Sequence, residues 1–158
     1  MTSKLEKLLE TTVPVALTDL LSDWLGYDGL ASKRYSEWDG ILRSQLRGDS
    51  YLVGGTVILK ISALAEFRFL DSVLRSLTGD SDTAVFEDVE RLDAVAELSN
   101  MLAGRLSERL RANGVEMSIL HPNQKNAQGL DLESQPFLQN LRWTWTSDDH
   151  QIELKIAY

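Results

Sequence analysis

The chain has 158 residues and no cysteine. The absence of cysteine excludes disulfides, thiolate metal ligands and cysteine nucleophiles, and it is compatible with a reducing cytoplasm. Histidine is also scarce, because the chain has two, His121 and His150. Neither has a partner at the spacing typical of a metal site, so the sequence predicts no metal or cofactor of the chain's own.

Basic residues and long apolar runs are scarce as well. Lys and Arg number 16 against 24 Asp and Glu, which gives a net charge of −8. That charge argues against binding to nucleic acid or to an acidic membrane surface, because either would repel the chain.

No apolar run approaches the length of about 18 residues that marks a membrane-spanning helix. Because residues 1–10 also lack the apolar run of a signal peptide, we expect a cytoplasmic protein without nucleic-acid or membrane partners.

Sequence motifs of several functional classes are missing too. The chain has no Gly-x4-Gly-Lys-Ser/Thr nucleotide loop and no Gly-x-Ser-x-Gly nucleophile turn. Asp80, Asp82, Asp148 and Asp149 lack the regular spacing of a calcium loop and are typical of turns. What is present is 43% hydrophobic and 25% charged residues, a composition that indicates a single globular domain over residues 1–158.

Hydrophobic periodicity and turn residues divide the chain into helices and strands. An N-terminal helix and loop occupy residues 1–35, and the helix is expected to break once, at Pro14. A first hairpin is predicted with its turn at Arg47–Ser50, and Gly54-Gly55 is interpreted as a bulge or a close backbone approach. Gly79 is expected to end the second helix. In chain order the predicted segments are helix Lys4–Leu25, strands Ile41–Leu46 and Tyr51–Ile61, helices Ala63–Leu77 and Glu87–Asn113, and strands Val115–Leu120, Leu141–Thr146 and Gln151–Tyr158.

This order groups helices and strands in runs rather than alternating them. It predicts an α+β fold, in which long helices pack against a mostly antiparallel sheet. Trp143 and Trp145 lie two residues apart on a predicted strand and therefore point to one face. We expect that face to belong to the core or to a dimer surface.

The third predicted helix carries two stripes when residues are placed at about 100° intervals. The apolar stripe is expected to face the core and consists of Leu92, Val95, Ala96, Ser99, Leu102, Ala103, Leu106 and Leu110. The second stripe, about 130° away, holds Asp93, Glu97, Asn100 and Gly104. Gly104 is unusual, since a glycine in a helix interior costs about 1 kcal/mol relative to alanine. A partner that approaches the helix closely would explain it.

The pattern Asp93-x3-Glu97-x2-Asn100, continued by Met101-Leu102-Ala103-Gly104 and followed by Pro122, resembles the signature of the CheX/CheC/FliY phosphatases of bacterial chemotaxis. The framework before the motif is similar too, from Gly55-Thr56-Val57-Ile58-Leu59 to the helix that ends at Leu77-Thr78-Gly79. The resemblance covers Trp38–Tyr158.

This resemblance implies a CheC-like fold and a phosphatase that hydrolyses the aspartyl phosphate of a CheY-like receiver domain, ending a signal in chemotaxis or related two-component signalling. It implies that Asn100 orients a water for in-line attack and that Glu97 pairs with a lysine of the receiver. Asp93, Gly104 and Pro122 are the supporting positions of the motif. The Mg²⁺ would belong to the receiver, and a homodimer is expected. A carboxamide suits this role, because its oxygen accepts from the water while its NH₂ group donates elsewhere.

Two departures from the family pattern bear on the site. Between Asn100 and Pro122 lie 21 residues, one fewer than in the family pattern. Pro122 is therefore either a shifted equivalent of the motif proline or the end of a strand. The first helix has Asp19-x3-Asp23-x2-Gly26 where a second active copy would need Glu and Asn. The sequence thus predicts one site per chain, closer to CheX than to CheC.

Two alternatives stay open for the motif residues. Glu97 and Asn100 can be interpreted as a solvated helix face, which describes most polar residues on such a stripe. In functional terms, the chain can also be a non-catalytic module that keeps the fold and docks a receiver or another signalling protein. The presence of both Glu97 and Asn100 favours the enzyme, because a pseudo-enzyme is expected to have lost one of them.

Overall fold

Three α-helices and six strands make up the described part of the chain in a computed structural model. That part comprises residues 3–34, 45–79, 85–120, 135–147 and 150–158, with the backbone alone for Trp24 and Arg34. The elements are α1 (Lys4–Thr18), β1 (Leu30–Arg34), β2 (Gln45–Gly54), β3 (Val57–Glu66), α2 (Phe67–Thr78), α3 (Asp88–Ala112), β4 (Ser118–Leu120), β5 (Asn140–Thr146) and β6 (Gln151–Ala157).

The six strands form one sheet in the order β1-β5-β6-β3-β2-β4, and every neighbouring pair is antiparallel. Alternate side chains of each strand point to opposite faces. The inner face, which includes Leu52, Ile61, Trp143 and Leu154, packs with α1 and α3 into one hydrophobic core. The predicted α+β fold with a mostly antiparallel sheet is confirmed, and so is the placement of both tryptophans on one buried face.

Helix α3 is the best-predicted element, beginning and ending within one residue of the predicted Glu87–Asn113. Glu87 caps its first turn, and the side chain of Glu90 accepts from the Glu87 backbone N–H in return, which is a capping box. The predicted core stripe of α3 is wrong at Leu92 and Ala96, which are exposed.

The true buried face of α3 is wider than one stripe, because the helix packs against α1 and α2 as well as against the sheet. Ala94 and Leu98, which the sequence prediction left out, are therefore buried.

The first predicted hairpin is wrong. Strand β2 runs without a break from Gln45 through Arg47–Ser50, and the chain reverses instead at Gly55, where φ is 57°. Residues 47–50, which were predicted as a turn, are part of the strand because α3 packs directly on this stretch of β2. Gly48 has no room for a side chain there, since a Cβ would lie 2.3 Å from the carbonyl oxygen of Val95. The interpretation of Gly54 as a close approach is confirmed, since a Cβ there would lie 2.2 Å from the Glu116 carbonyl oxygen. Of the predicted strand Ile41–Leu46, residues 41–44 lie outside the described residues.

Three further boundaries differ from the prediction. Residues 63–66, predicted as helix, extend β3, because β2 continues to Gln45 and offers them hydrogen-bonding partners. The predicted strand Val115–Leu120 pairs from Ser118 onward. Strand β1 lies in a segment predicted as loop, and it forms by pairing with the edge of β5.

The predicted break at Pro14 is also wrong, because α1 continues through that proline. An interior proline costs about 3 kcal/mol, and Leu9, Val13 and Leu17 are fully or almost fully buried on both sides of it. The burial of that face keeps the helix intact. The helix then continues as a π-helical turn over Asp19–Trp24.

The outer face of the sheet carries a charged cluster on β2 and β3. Arg47 donates to both oxygens of Asp49, at 2.9 and 3.0 Å, and Lys60 lies 3.7 Å from the same carboxylate. Burial alone would raise the pKa of Asp49, but hydrogen bonds from Arg47 and Ser62 and the charges of Arg47 and Lys60 outweigh it. The pKa of Asp49 therefore lies below its ordinary value.

We predict that Gly48→Ala destabilises the fold by about 2–3 kcal/mol, because the added methyl meets helix backbone that cannot rotate away. Urea unfolding of the two proteins measures the difference. Thr56→Ala, at the exposed β2–β3 turn, is the control and should change stability by less than about 0.5 kcal/mol. Equal stability of the Gly48 variant and the wild type would contradict the close packing of α3 on β2.

We predict that Asp49→Asn destabilises the protein by about 0.5–1 kcal/mol at pH 7, since it removes one partner of a half-exposed ion pair. A carboxyl with a lowered folded pKa stabilises the fold above its unfolded value of about 4 and loses that effect as pH falls through the folded pKa. The difference between wild type and variant should therefore shrink below about pH 4. Urea unfolding at pH 7 and at pH 3 tests this, with the exposed Asp28 changed to Asn as control.

Candidate functional site

The site is built on α3, and the start of that helix is firmly anchored. Arg91 donates to both oxygens of Asp71 on α2, at 2.7 and 3.0 Å, and its guanidinium lies 4.6 Å from the centre of the Phe67 ring. Both partners of the pair are largely shielded from solvent, with 16% of each side chain exposed. Hydrogen bonds between charged groups in such a setting are among the stronger ones in proteins. These contacts tie the first turns of α3 to α2.

The predicted second stripe lies together on one side of α3, next to the buried face of the helix. Asp93 and Glu97 are exposed, and Asn100 and Gly104 are partly buried. Successive members are three or four residues apart, so each lies about one turn above the last. Pro122, the remaining residue of the predicted site, lies outside the described residues, and so does His121.

The Asn100 side chain is held by the sheet. Ser50 on β2 is fully buried, and its hydroxyl donates a hydrogen bond of 2.5 Å to Asn100 Oδ1. Within the described part of the chain, Asn100 Nδ2 has no hydrogen-bond partner. The carboxamide is thus fixed at its oxygen, and no described residue bonds to its amide nitrogen. Glu97, three residues earlier on the helix, is exposed.

The residue before Asn100 is anchored to the neighbouring strand. Ser99 is fully buried, and its hydroxyl donates to the backbone carbonyl of Ile61 on β3 at 3.2 Å. Ile61 and Ser50 are directly paired across β2 and β3. Two consecutive residues of α3 therefore hydrogen-bond to one cross-strand pair, which fixes the rotation of the helix at Asn100.

Glu97 is available to a partner. It is exposed, and it forms no ion pair with any residue that the structure describes. Asp93, one turn earlier on the same stripe, adds a second negative charge to this surface. A cationic side chain of a binding partner would be attracted to Glu97, while the Asn100 amide three residues away can donate and accept hydrogen bonds.

A surface cavity of about 270 Å³ lies beside Gly104, at the end of the stripe. It is lined by Leu20, Met101, Gly104, Arg105 and Glu108. Arg105 lies 3.7 Å from Glu108, and Arg109 pairs with Asp19 on the π-helical turn. Asp19, the first position of the motif-like stretch in the first helix, is therefore tied to α3 by an ion pair.

Among the residues that the structure describes, no three histidine or carboxylate side chains cluster as metal ligands. None of the described helices is both long and apolar enough to cross a membrane.

Sequence reasoning missed Ser50. The composition of Arg47-Gly48-Asp49-Ser50 is typical of a turn, so these residues were predicted as a turn and not as a strand. Alternation is the signal that could have identified the strand, because Gly48, Ser50 and Leu52 are spaced by two residues and so share one face. Two small residues followed by a large one on that face fit a strand against which a helix packs.

Comparison with known proteins shows the fold. No protein-family model matches the chain, and no curated protein sequence matches it significantly. Solved structures do match over nearly the whole chain. A CheC-like superfamily protein from Shewanella sp. PV-4 has a TM-score of 0.68 and 16% identity, with 95% of this chain and 96% of that chain covered. The chemotaxis protein CheX from Vibrio vulnificus has a TM-score of 0.68 and 15% identity, with 96% and 98% covered.

A third match was solved as a complex. CheX from Borrelia burgdorferi, in a structure with CheY, BeF₃ and Mg²⁺, has a TM-score of 0.61 and 18% identity, with 99% of this chain and 98% of that chain covered. The middle domain of FliM from Vibrio alginolyticus also matches, at a TM-score of 0.55 and 12% identity. The predicted CheC-like fold is therefore confirmed, and proteins with different names share it.

We predict that Gly104→Ala stabilises the isolated protein by about 0.5–1 kcal/mol. Alanine favours a helix interior over glycine by about that amount, and the new Cβ meets Ile119 Cδ1 at an ordinary 3.8 Å. Thermal or urea unfolding measures the gain. A loss of stability would mean that the fold itself requires glycine here, and the case for a partner at this position would fail.

Proposed function

We propose that this protein is a member of the CheX/CheC/FliY phosphatases and hydrolyses the aspartyl phosphate of a CheY-like receiver domain. The observation that carries the proposal is the carboxamide of Asn100, held by Ser50 on a rigid helix beside the exposed carboxylate of Glu97. The motif resemblance assigns these two residues the catalytic roles. The shared fold with CheX, which was solved in complex with CheY, supports the choice of partner.

The reaction needs a positioned water more than a strong base. In the proposed step, the oxygen of water attacks phosphorus in line with the bond to the aspartyl oxygen. That bond breaks as the new P–O bond forms, and the products are the receiver's free carboxylate and inorganic phosphate, which takes up the protons of the water. Phosphoryl transfer depends mainly on alignment and on charge neutralisation. Asn100 supplies the alignment, because its oxygen keeps a second lone pair that can accept a hydrogen from the water.

Glu97 acts as the docking group. Its exposed carboxylate attracts a cationic side chain of the receiver, which the motif resemblance identifies as a lysine. This ion pair would place the Asn100 carboxamide over the phosphoryl group. Asp93 supports the same negative surface, and Gly104 lets the receiver approach the helix without a side chain between them.

Several further features belong to the proposal. The Mg²⁺ that neutralises the phosphoryl oxygens is held by the receiver, and this chain supplies no cofactor. We expect a cytoplasmic homodimer with one site per chain, which sedimentation of the purified protein would test. The pathway is chemotaxis or a related two-component system. Pro122 is proposed as a supporting residue on the strength of the motif alone.

The second candidate is a receiver-binding or signalling adaptor without catalysis. The FliM middle domain has the same fold, so the fold alone does not require an enzyme. Asn100 separates the candidates, because binding can persist without a water-orienting amide whereas hydrolysis cannot. A panel of phosphorylated receiver domains from the same genome, incubated with and without this protein, would identify the substrate. Binding of a phosphorylated receiver without faster dephosphorylation would establish the adaptor.

We predict that Asn100→Ala lowers the accelerated dephosphorylation of the responding receiver at least about 100-fold, since removing the group that aligns a nucleophile has effects of this order. Receiver affinity should change less than about threefold. The variant stays folded but loses about 1–2 kcal/mol of stability, because the buried Ser50 hydroxyl loses its partner. Phosphate release and receiver binding are measured side by side. Full activity of this variant would contradict the assigned catalytic role.

We predict that Glu97→Gln weakens binding of the phosphorylated receiver by about tenfold, equivalent to about 1.4 kcal/mol, because it removes the charge that pairs with the receiver's lysine. Binding isotherms at constant ionic strength measure the change. Glu116→Gln, which removes the same charge from an exposed position between α3 and β4, is the matched control. If both variants weaken binding equally, net charge is responsible and Glu97 has no docking role.

A further inference from the structure

We propose that Ser50 is the positioning residue for Asn100, and that its buried hydroxyl holds the carboxamide in the orientation that aligns the attacking water. The inference rests on the proposed phosphatase function and adds to the site a residue on a different element, β2. It also accounts for a polar side chain that the core would otherwise disfavour.

The Ser50 hydroxyl needs a partner on α3. Ser50 is 0% exposed, and its side chain stands on the inner face of the sheet, under the helix. A buried hydroxyl without a hydrogen bond is costly, so buried polar groups are almost always paired. The Asn100 oxygen is the acceptor that the structure provides. An alanine would fill the position at no such cost, so the serine is best explained by what it does to Asn100.

The carboxamide needs to be held because its two ends differ in chemistry. The terminal torsion of an asparagine side chain is broad and roughly two-fold, so an unrestrained carboxamide exchanges the places of its oxygen and nitrogen. Donation from Ser50 fixes which side of the carboxamide carries Oδ1 and which carries Nδ2. One lone pair of Oδ1 and two N–H groups then remain for water and phosphoryl oxygens. Rotation of the amide would present the wrong atoms to the water.

The helix and the strand are held at the distance that this hydrogen bond requires. Gly48, two residues before Ser50, leaves no room for a Cβ against the Val95 backbone. Ser99 bonds to the carbonyl of Ile61, the cross-strand partner of Ser50. On α3 both contacts lie just before Asn100, at Val95 and Ser99. A side chain such as Ser50 can position another side chain only when its own place in the structure is fixed.

The test compares Ser50→Ala with Ser107→Ala, its matched control. Both variants delete a buried hydroxyl whose hydrogen bond joins α3 to another segment, since Ser107 on α3 donates to the Met117 carbonyl at 2.6 Å, and both should lower the unfolding temperature to a similar extent. We expect Ser50→Ala to lower the maximal dephosphorylation rate about tenfold. The receiver concentration at half-maximal rate should stay within about twofold, and Ser107→Ala should leave both parameters within that range. Ser50→Thr, which keeps the hydroxyl, should restore most of the rate.

A second measurement does not depend on activity. The side-chain ¹⁵N–¹H₂ signal of Asn100, identified by its loss in Asn100→Ala, reports how firmly the carboxamide is held. It should be ordered in the wild type and in Ser107→Ala, and mobile in Ser50→Ala. Ser50→Cys keeps the volume of the side chain but donates weakly, so it serves as the variant if Ser50→Ala fails to fold.

The outcomes separate the two claims. A wild-type protein that accelerates no receiver overturns the proposed function. An Asn100 amide signal that Ser50→Ala leaves unchanged overturns the role of Ser50, whether or not activity is found. Equal loss of rate in Ser50→Ala and Ser107→Ala also overturns it, because that result indicates a structural effect shared by any buried hydroxyl on α3.

Discussion

The contact on which the site depends is the approach of α3 to β2 at Gly48, where the strand backbone lies against the carbonyl of Val95. A side chain of any size at residue 48 would push the helix outward. Because none is there, α3 lies close enough for Asn100 to reach Ser50 and for Ser99 to reach Ile61. The outer stripe of α3 takes its rotation from these contacts. The position of the candidate catalytic amide is therefore a consequence of how tightly a helix packs on a sheet.

The same contact explains what the sequence could and could not predict. Helix α3 was predictable because its 25 residues repeat at helical spacing and begin with a capping box, features that are local in sequence. The stripe of Glu97, Asn100 and Gly104 follows from that periodicity alone. Gly48 and Ser50 were misassigned to a turn, because local composition there favours a turn while the packing of α3, some fifty residues away, requires a strand of small residues. The break at Pro14 was wrong for a related reason, since tertiary burial outweighed local propensity.

Strand β2 serves two faces with different chemistry. On the inner face Gly48 and Ser50 receive α3, and on the outer face Arg47 and Asp49 form an ion pair. Both arrangements follow because successive side chains of a strand point to opposite faces. Gly48 and Ser50 therefore face α3, and the charged side chains of Arg47 and Asp49 lie on the other face. A one-residue shift in register would bring Asp49 under α3 and move Ser50 away from Asn100. The outer ion pair therefore opposes that shift, because burying Asp49 and its charge would be costly.

Fold similarity alone leaves the choice between catalysis and binding open, because CheX and the FliM middle domain share this architecture. An enzyme and a binding module with this fold must therefore differ in the groups that hydrolysis requires and docking does not. An exposed carboxylate such as Glu97 serves either role. A carboxamide anchored at its oxygen by a fully buried serine is less easily explained by docking alone, since a recognition surface tolerates side chains that adjust to the partner. Alignment of a nucleophile instead requires a group held in one orientation before the partner arrives. The restraint on Asn100, more than its presence, is what favours the enzyme.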